Sequence, residues 1–452
     1  MVYFFSNLTY LSLHIMKYGL VSYSIKYIGM KKALIFLWIL LMQTSLFAQF
    51  NPDQNMDSSI HTILVHPEGR PRDLPIIGLN DPTALTVSFD DFNFSYQNYF
   101  YSIELVDDQW QSVPLTPFEY TTGFAQNKIN IFNISSIAFQ PYYHYQFNLP
   151  NPQCKPTKAG NYILKVFKDG DPSKIIFTRR FYVVNSLVGV FGSVQEPFDG
   201  AISRTHQKIQ LSLDVKQLSF FQPDQIKVVV IQNRRLNDAK VITEPSFIRG
   251  NNMEYNSDRD LVFPGGNEAR WLDLQSLRLR SDRVQQIDVV DGLTRVIVKP
   301  DFSKSQTPYF TFNDLNGAFI ISNTESLQSE FQNDYAKVHF TYKPPNGIPY
   351  VGEKLYLIGD ITQNKLNKES LMQFNVLKGV YEKTMLLKQG YYSYHYILRD
   401  IEKPIPMDDY KETEGDHWET ENSYTIFVYY TAPGARYPMI AGFSTINSRQ
   451  NW

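Results

Sequence analysis

The sequence predicts an all-β protein: three β-sandwich domains of immunoglobulin or early-set type in series, behind a signal peptide. Three observations carry this. Aromatic residues are unusually many, with 30 Tyr, 32 Phe and 5 Trp making 15% of 452 residues. Aromatic and β-branched side chains suit pleated, half-buried surfaces. Short runs alternating apolar and polar residues recur between turn residues, which is the strand period. Finally, downstream of residue 48 no window of helical length shows a strong 3.6-residue repeat.

The front end reads as an export signal. Lys31 and Lys32 precede an uninterrupted apolar run from Ala33 to Met42, and Ala48 offers a small residue before Gln49. That is the layout of a cleaved signal peptide over 30–48. A membrane span needs about 20 apolar residues, so no direct span is expected. Residues 1–29 read as an upstream extension or a start assigned too early. Residues 1–48 hold Lys17, Lys26, Lys31 and Lys32 and no Asp, Glu or Arg. The whole chain carries −2, so the remaining 404 residues carry −6. An exported, mildly acidic protein is expected, and a strongly basic nucleic-acid binder is excluded. The lone Cys154 has no disulfide partner and reads as a structural thiol.

The first block, 51–186, holds about seven strand signals. Residues 62–65 are apolar, 84–89 alternate, and 99–105 give a period-2 stretch. In 128–134 Ile129, Ile131 and Phe132 interrupt polar residues, and 143–149 alternate up to Pro150. Tyr162, Leu164 and Val166 share one face of a strand, Asp169-Gly170-Asp171-Pro172 forms a turn, and 175–184 return. Gly170 supplies the positive φ that such a hairpin requires. This spacing is that of a sandwich.

The second block, 187–322, contains the alternating 209–215 and a strand at 225–232 with a continuous Val-Val-Val-Ile core. It goes on through 270–275 and 287–290. The polar stretch 323–333 reads as a linker. The third block, 334–452, has strand signals at 336–342, 354–360, 380–387, 391–398 and 423–430, with a turn at Gln389-Gly390. An outer-membrane barrel would need regularly repeated amphipathic strands of ~10 residues. The 25 Pro and the irregular spacing argue against one.

Sequence motifs for catalysis are absent: no G-x-S-x-G, P-loop, H-E-x-x-H or strand-linked G-x-G-x-x-G occurs. No catalytic, cofactor-binding or metal-binding residue is assigned, and neither an enzyme nor a cofactor is expected. Asp169-Gly170-Asp171 lacks the ligand spacing of a calcium loop. His144, His339 and His395 fall in alternating strands and read as satisfied, half-buried imidazoles. Asp408, Asp409, Glu412, Glu414, Asp416, Glu419 and Glu421 form an acidic stretch, read as a solvated loop. A catalytic carboxylate pair is the competing reading there. Asp258-Arg259-Asp260 reads as a turn. The aromatic runs 96–101 and 391–396 put rings on both faces of one strand, so something must cover the second face. A neighbouring domain, a protein partner or a stacked sugar would serve.

Several segments together resemble one family. They are EYTTGF (119–124), PYYHYQFNLPNP (141–152), AGNYILKVFKDGD (159–171), TRRFYVV (178–184), FPGGNEARWLD (263–273), EGDHWETENSYTIFVYY (414–430) and GARYPMIAGF (434–443). In this order they resemble the plug protein of the Bacteroidetes type IX secretion system. The resemblance implies a non-enzymatic periplasmic protein that binds and closes the periplasmic mouth of the outer-membrane translocon barrel. It supplies no contact residues. The third block also resembles the early-set sandwich of glycogen-binding modules through KLYLIGDI (354–361) and 379–400. In those modules an aromatic after the Gly-Asp turn stacks on sugar, and here Ile361-Thr362-Gln363 follows. An exported carbohydrate-binding protein is therefore the alternative function.

Overall fold

The computed structural model describes residues 52–452 apart from 94, 137, 221, 326–329, 401–409 and 452; the side chains of 450 and 451 are not described either. The expected extension 1–29 and signal peptide 30–48 lie outside the described residues, as do Asp408 and Asp409. The described residues are nearly all β, in several sheets, and no barrel occurs among them. No described helix is long and apolar enough to cross a membrane.

The first sandwich packs two sheets face to face. One runs Gln54–Asn55, Ile175–Val184, Gly160–Lys168, Tyr99–Val106 and Asn127–Lys128, with Ile76–Gly78 added in parallel to Ile175–Val184. The other runs Ile60–Pro67, Leu85–Asp91, Tyr143–Leu149 and Ile131–Ile134. Period-2 alternation sends one face of each strand inward. Tyr162, Leu164 and Val166 accordingly meet Val87, Phe89 and Tyr145 in one core. The hairpin turns at Asp169-Gly170, with Gly170 at φ +70. Phe89 stacks on Tyr145 at 5.2 Å and meets Phe177 edge-on at 5.1 Å. Such pairs add about 0.5–1.5 kcal/mol each beyond their buried area.

The other sheets depart from the serial order 187–322 then 334–452. Strand Ile226–Gln232 pairs with Ser423–Tyr430, residue Ile226 opposite Tyr430 and Gln232 opposite Tyr424. Met439–Asn447 pairs with Ser423–Tyr430 in turn. The second core therefore joins Leu211, Leu213 and Met253 to Val228, Ile426 and Val428. The chain leaves this sandwich after Val262–Pro264, builds the third sandwich, and returns to finish the second. The third pairs Arg270–Asp273, Phe319–Ile321 and Glu353–Ile358 with Gly390–Asp400. Its facing sheet contains Val284–Val290, Leu293–Val298, Tyr335–Lys343 and Val380–Lys388. The stretch 323–333 is thus no linker between sandwiches, since strands on both sides of it belong to the third. Asn333 is buried, donates to the Gln389 carbonyl at 3.0 Å and accepts from Tyr142 Oη at its own carbonyl at 2.8 Å.

The continuous apolar strand finds its reason here. Val228 and Val230 face the second core. Ile231 and Val229 face a separate cluster with Tyr182 and Val184 of the first sandwich and Phe427 and Tyr429 of the second. Strands apolar on both faces are those covered on both faces.

Candidate functional site

Buried ion pairs tie the sandwiches into one body. Asp90, at the end of Leu85–Asp91, accepts from Lys388 Nζ at 2.6 Å, Tyr335 Oη at 2.5 Å and the His144 ring at 2.6 Å. Burial alone would raise the Asp90 carboxyl, but Lys388 and His144 outweigh it and hold the carboxyl below its usual value. A second network centres on the buried Arg270. Its guanidinium donates to Glu414 at 3.0 Å and Asp301 at 3.0 Å, while Tyr394 and Tyr396 donate to Asp301 at 2.9 and 3.0 Å. Burial would lower the Arg270 pKa, but Glu414 and Asp301 raise it above the usual value. The expectation of a solvated acidic loop at 408–421 therefore fails at Glu414. That carboxylate is buried because it neutralises Arg270, which a charge run in the sequence does not reveal.

Glu421 of the same stretch joins Glu268 and Asp314, with one ligand atom from each lying within 4.8 Å of the others. Burial, and then the neighbouring carboxylates, push the Asp314 carboxyl up to about 7. Arg449 and Tyr309 donate to Glu268 Oε1, and Asn316 Nδ2 donates to Glu421 at 2.8 Å. Chemically this trio can share a proton or hold a cation.

The remaining expected features are placed as follows. Cys154 is free and buried, and burial pushes its thiol up to about 12. His144 pairs with Asp90, and His339 with Thr384 at 3.0 Å. His395 departs from the expectation of a satisfied imidazole: it is buried, its Nδ1 has no hydrogen-bond partner among the described residues, and burial holds it well below its usual pKa. Asp258-Arg259-Asp260 is a turn. The rings of run 391–396 are covered by the protein itself, with Tyr392, Tyr394 and Tyr396 in the third core. They form no platform for sugar. Asp360, the acid of the Gly-Asp turn, pairs with Arg234 of the second sandwich at 3.0 Å.

Exposed apolar side chains occur on all three sandwiches, and one group of them gathers at an edge of the first. Ile131–Ile134 forms the edge of its four-stranded sheet, bonded on one side only, to Tyr143–Leu149. Ile131 is 61% exposed and Ile134 53%. Phe132 is also exposed, and Tyr96, 4.9 Å away, covers it in part. Phe139 is exposed in the following loop, as are Phe118 and Phe124 on the same sandwich. An apolar edge strand is a template for another chain. The sequence contains the sign of it: Ile131, Phe132 and Ile134 put apolar residues on both faces of one short strand.

Residues 60–185 match the family model of the Type 9 secretion system plug protein 1st domain. The matched residues form the sandwich with the apolar edge. The match points to a plug-like role in type IX secretion. It ends at 185, so the segments at 263–273, 414–430 and 434–443 lie beyond it. No curated protein matches the chain. Among solved structures, a hypothetical protein from Parabacteroides merdae is similar, with 29% identity and a TM-score of 0.83. The likeness covers 87% of this chain and 98% of that one.

Proposed function

We propose that the protein is a non-enzymatic periplasmic plug that binds the outer-membrane translocon barrel of the type IX secretion system and closes its periplasmic mouth. The observation that carries this reading is the plug-family match over residues 60–185, on the sandwich that exposes Ile131, Ile134 and Phe139. Two further features support it. The buried Asp90–Lys388 pair couples the first sandwich rigidly to the third, as a body that blocks a pore requires. The export signal read at 30–48 would deliver the chain to the periplasm. The carbohydrate-binding alternative loses its aromatic surface, because Tyr392, Tyr394 and Tyr396 are core residues.

The test is co-purification. The tagged protein, extracted from outer membranes in mild detergent, should bring down a very large barrel protein. Recovery of no barrel from membranes that contain one overturns the reading.

A further inference from the structure

A cavity of about 140 Å³ lies where the three sandwiches meet. Its walls include Asp53, Arg179, Arg180 and Tyr182 of the first, Arg234 of the second and Asp360 of the third. Lys365 borders it, donating to the Asp53 backbone carbonyl and, at 2.6 Å, to Gln363 Oε1.

The charges there do not cancel. Arg180 pairs with Asp53 at 2.6 Å, and Arg234 with Asp360 at 3.0 Å. Arg179 and Lys365 are left over. Among the described residues the Arg179 guanidinium donates only to backbone carbonyls, of Gln54 at 2.9 Å and Thr178 at 2.7 Å, and it lies 5.5 Å from the Phe177 ring. Neither Arg179 nor Lys365 makes an ion pair with a described carboxylate; Asp53, and for Lys365 also Glu369, act on them from further away. Burial accordingly depresses both, Arg179 to about 10 and Lys365 to about 8. Arg179 and Lys365 are half-buried, and cations drawn partly out of water without a paired counter-charge lose hydration that nothing replaces. The Tyr182 hydroxyl, in the wall of the same cavity, is a buried donor with no hydrogen-bond partner among the described residues.

We propose that this cavity binds a small dianionic oxyanion of the phosphate or sulfate class, held by Arg179, Lys365 and the Tyr182 hydroxyl. The size agrees: a cavity of about 150 Å³ accepts a benzene-sized molecule, and a tetrahedral oxyanion has fewer heavy atoms. A dianion supplies the two missing charges. Guanidinium and ammonium groups form strong, charge-assisted hydrogen bonds to such oxygens. The bound anion links the first sandwich to the third beside the second. This inference is independent of the plug reading.

The experiment is calorimetric titration of the full mature chain with inorganic phosphate, with chloride at matched ionic strength as the reference and acetate as a second probe. Saturable phosphate binding is expected, together with a phosphate-dependent rise in melting temperature. Arg179→Met and Lys365→Met should each weaken binding by roughly 10–100-fold, the worth of a charge-assisted hydrogen bond. If Arg179→Met does not fold, as judged by circular dichroism, Lys365→Met decides alone. No saturable phosphate binding beyond chloride overturns the proposal. So does binding that survives in every folded variant, or acetate binding as tight as phosphate binding.

Discussion

Lys388 and Asp90, 298 positions apart in the chain, meet at 2.6 Å with both side chains about 1% exposed. Lys388 closes a strand of the third sandwich, and Asp90 is the last residue but one of a strand of the first. Tyr142, Tyr335 and His144 enclose the pair: the Tyr142 ring lies 4.6 Å from the ammonium, and Tyr335 and His144 bond the carboxylate.

Removing one partner strands the other charge in a dry site. We expect Lys388→Met to cost about 3–5 kcal/mol in urea unfolding. The double variant Asp90→Asn with Lys388→Met should recover much of that, because no buried charge is left. A single-variant loss under about 1 kcal/mol would show that water reaches the pair.

Asp314 sets a pH dependence of the opposite sign from a paired carboxylate. Its folded-state pKa of about 7 lies above the unfolded value of 3.8. The folded state therefore holds a proton that the unfolded state releases between those values. The stability from this group is complete below about pH 4 and is lost as pH rises through 7. Asp314→Asn should flatten that part of the melting profile and stabilise the protein at pH 8. A variant whose melting temperature runs parallel to the parent from pH 4 to 8 contradicts the assignment.

The apolar edge strand should matter for association and not for folding. Ile131→Lys and Ile134→Lys alter exposed side chains, so each should change stability by less than about 0.5 kcal/mol. Both should reduce recovery of the translocon barrel in the co-purification. Normal recovery from the double variant would remove this strand from the contact surface.

Gly265 sits against backbone. A Cβ there would lie 2.1 Å from the His417 carbonyl oxygen, whereas at Gly266 it would meet open space. Gly265→Ala should cost at least about 1–3 kcal/mol by overpacking. Gly266, at φ +63, has no such clash, and an Ala there meets only the strain of the left-handed region, about 1–2 kcal/mol. Equal melting temperatures for the two variants would contradict this account.

The periodic pattern determined which residues form strands and which face each side chain takes. Tyr162, Leu164 and Val166 read inward in the sequence and are inward in the fold. The turn at Gly170 was equally legible, because positive φ is a local requirement. The excess of aromatics on both faces of 391–396 signalled a second cover.

What the pattern could not contain is the identity of each strand's neighbour. Backbone hydrogen bonds are the same for every residue, so an alternating strand accepts many partners. Only the tertiary structure decided that 423–430 completes the second sandwich and not the third. The same holds for charge. An acidic run looks solvated until a distant Arg270 buries Glu414, and Arg179 and Lys365 look like ordinary surface cations until the fold half-buries them around one cavity. Coulomb and desolvation energies depend on distance through space, and the sequence specifies only distance along the chain.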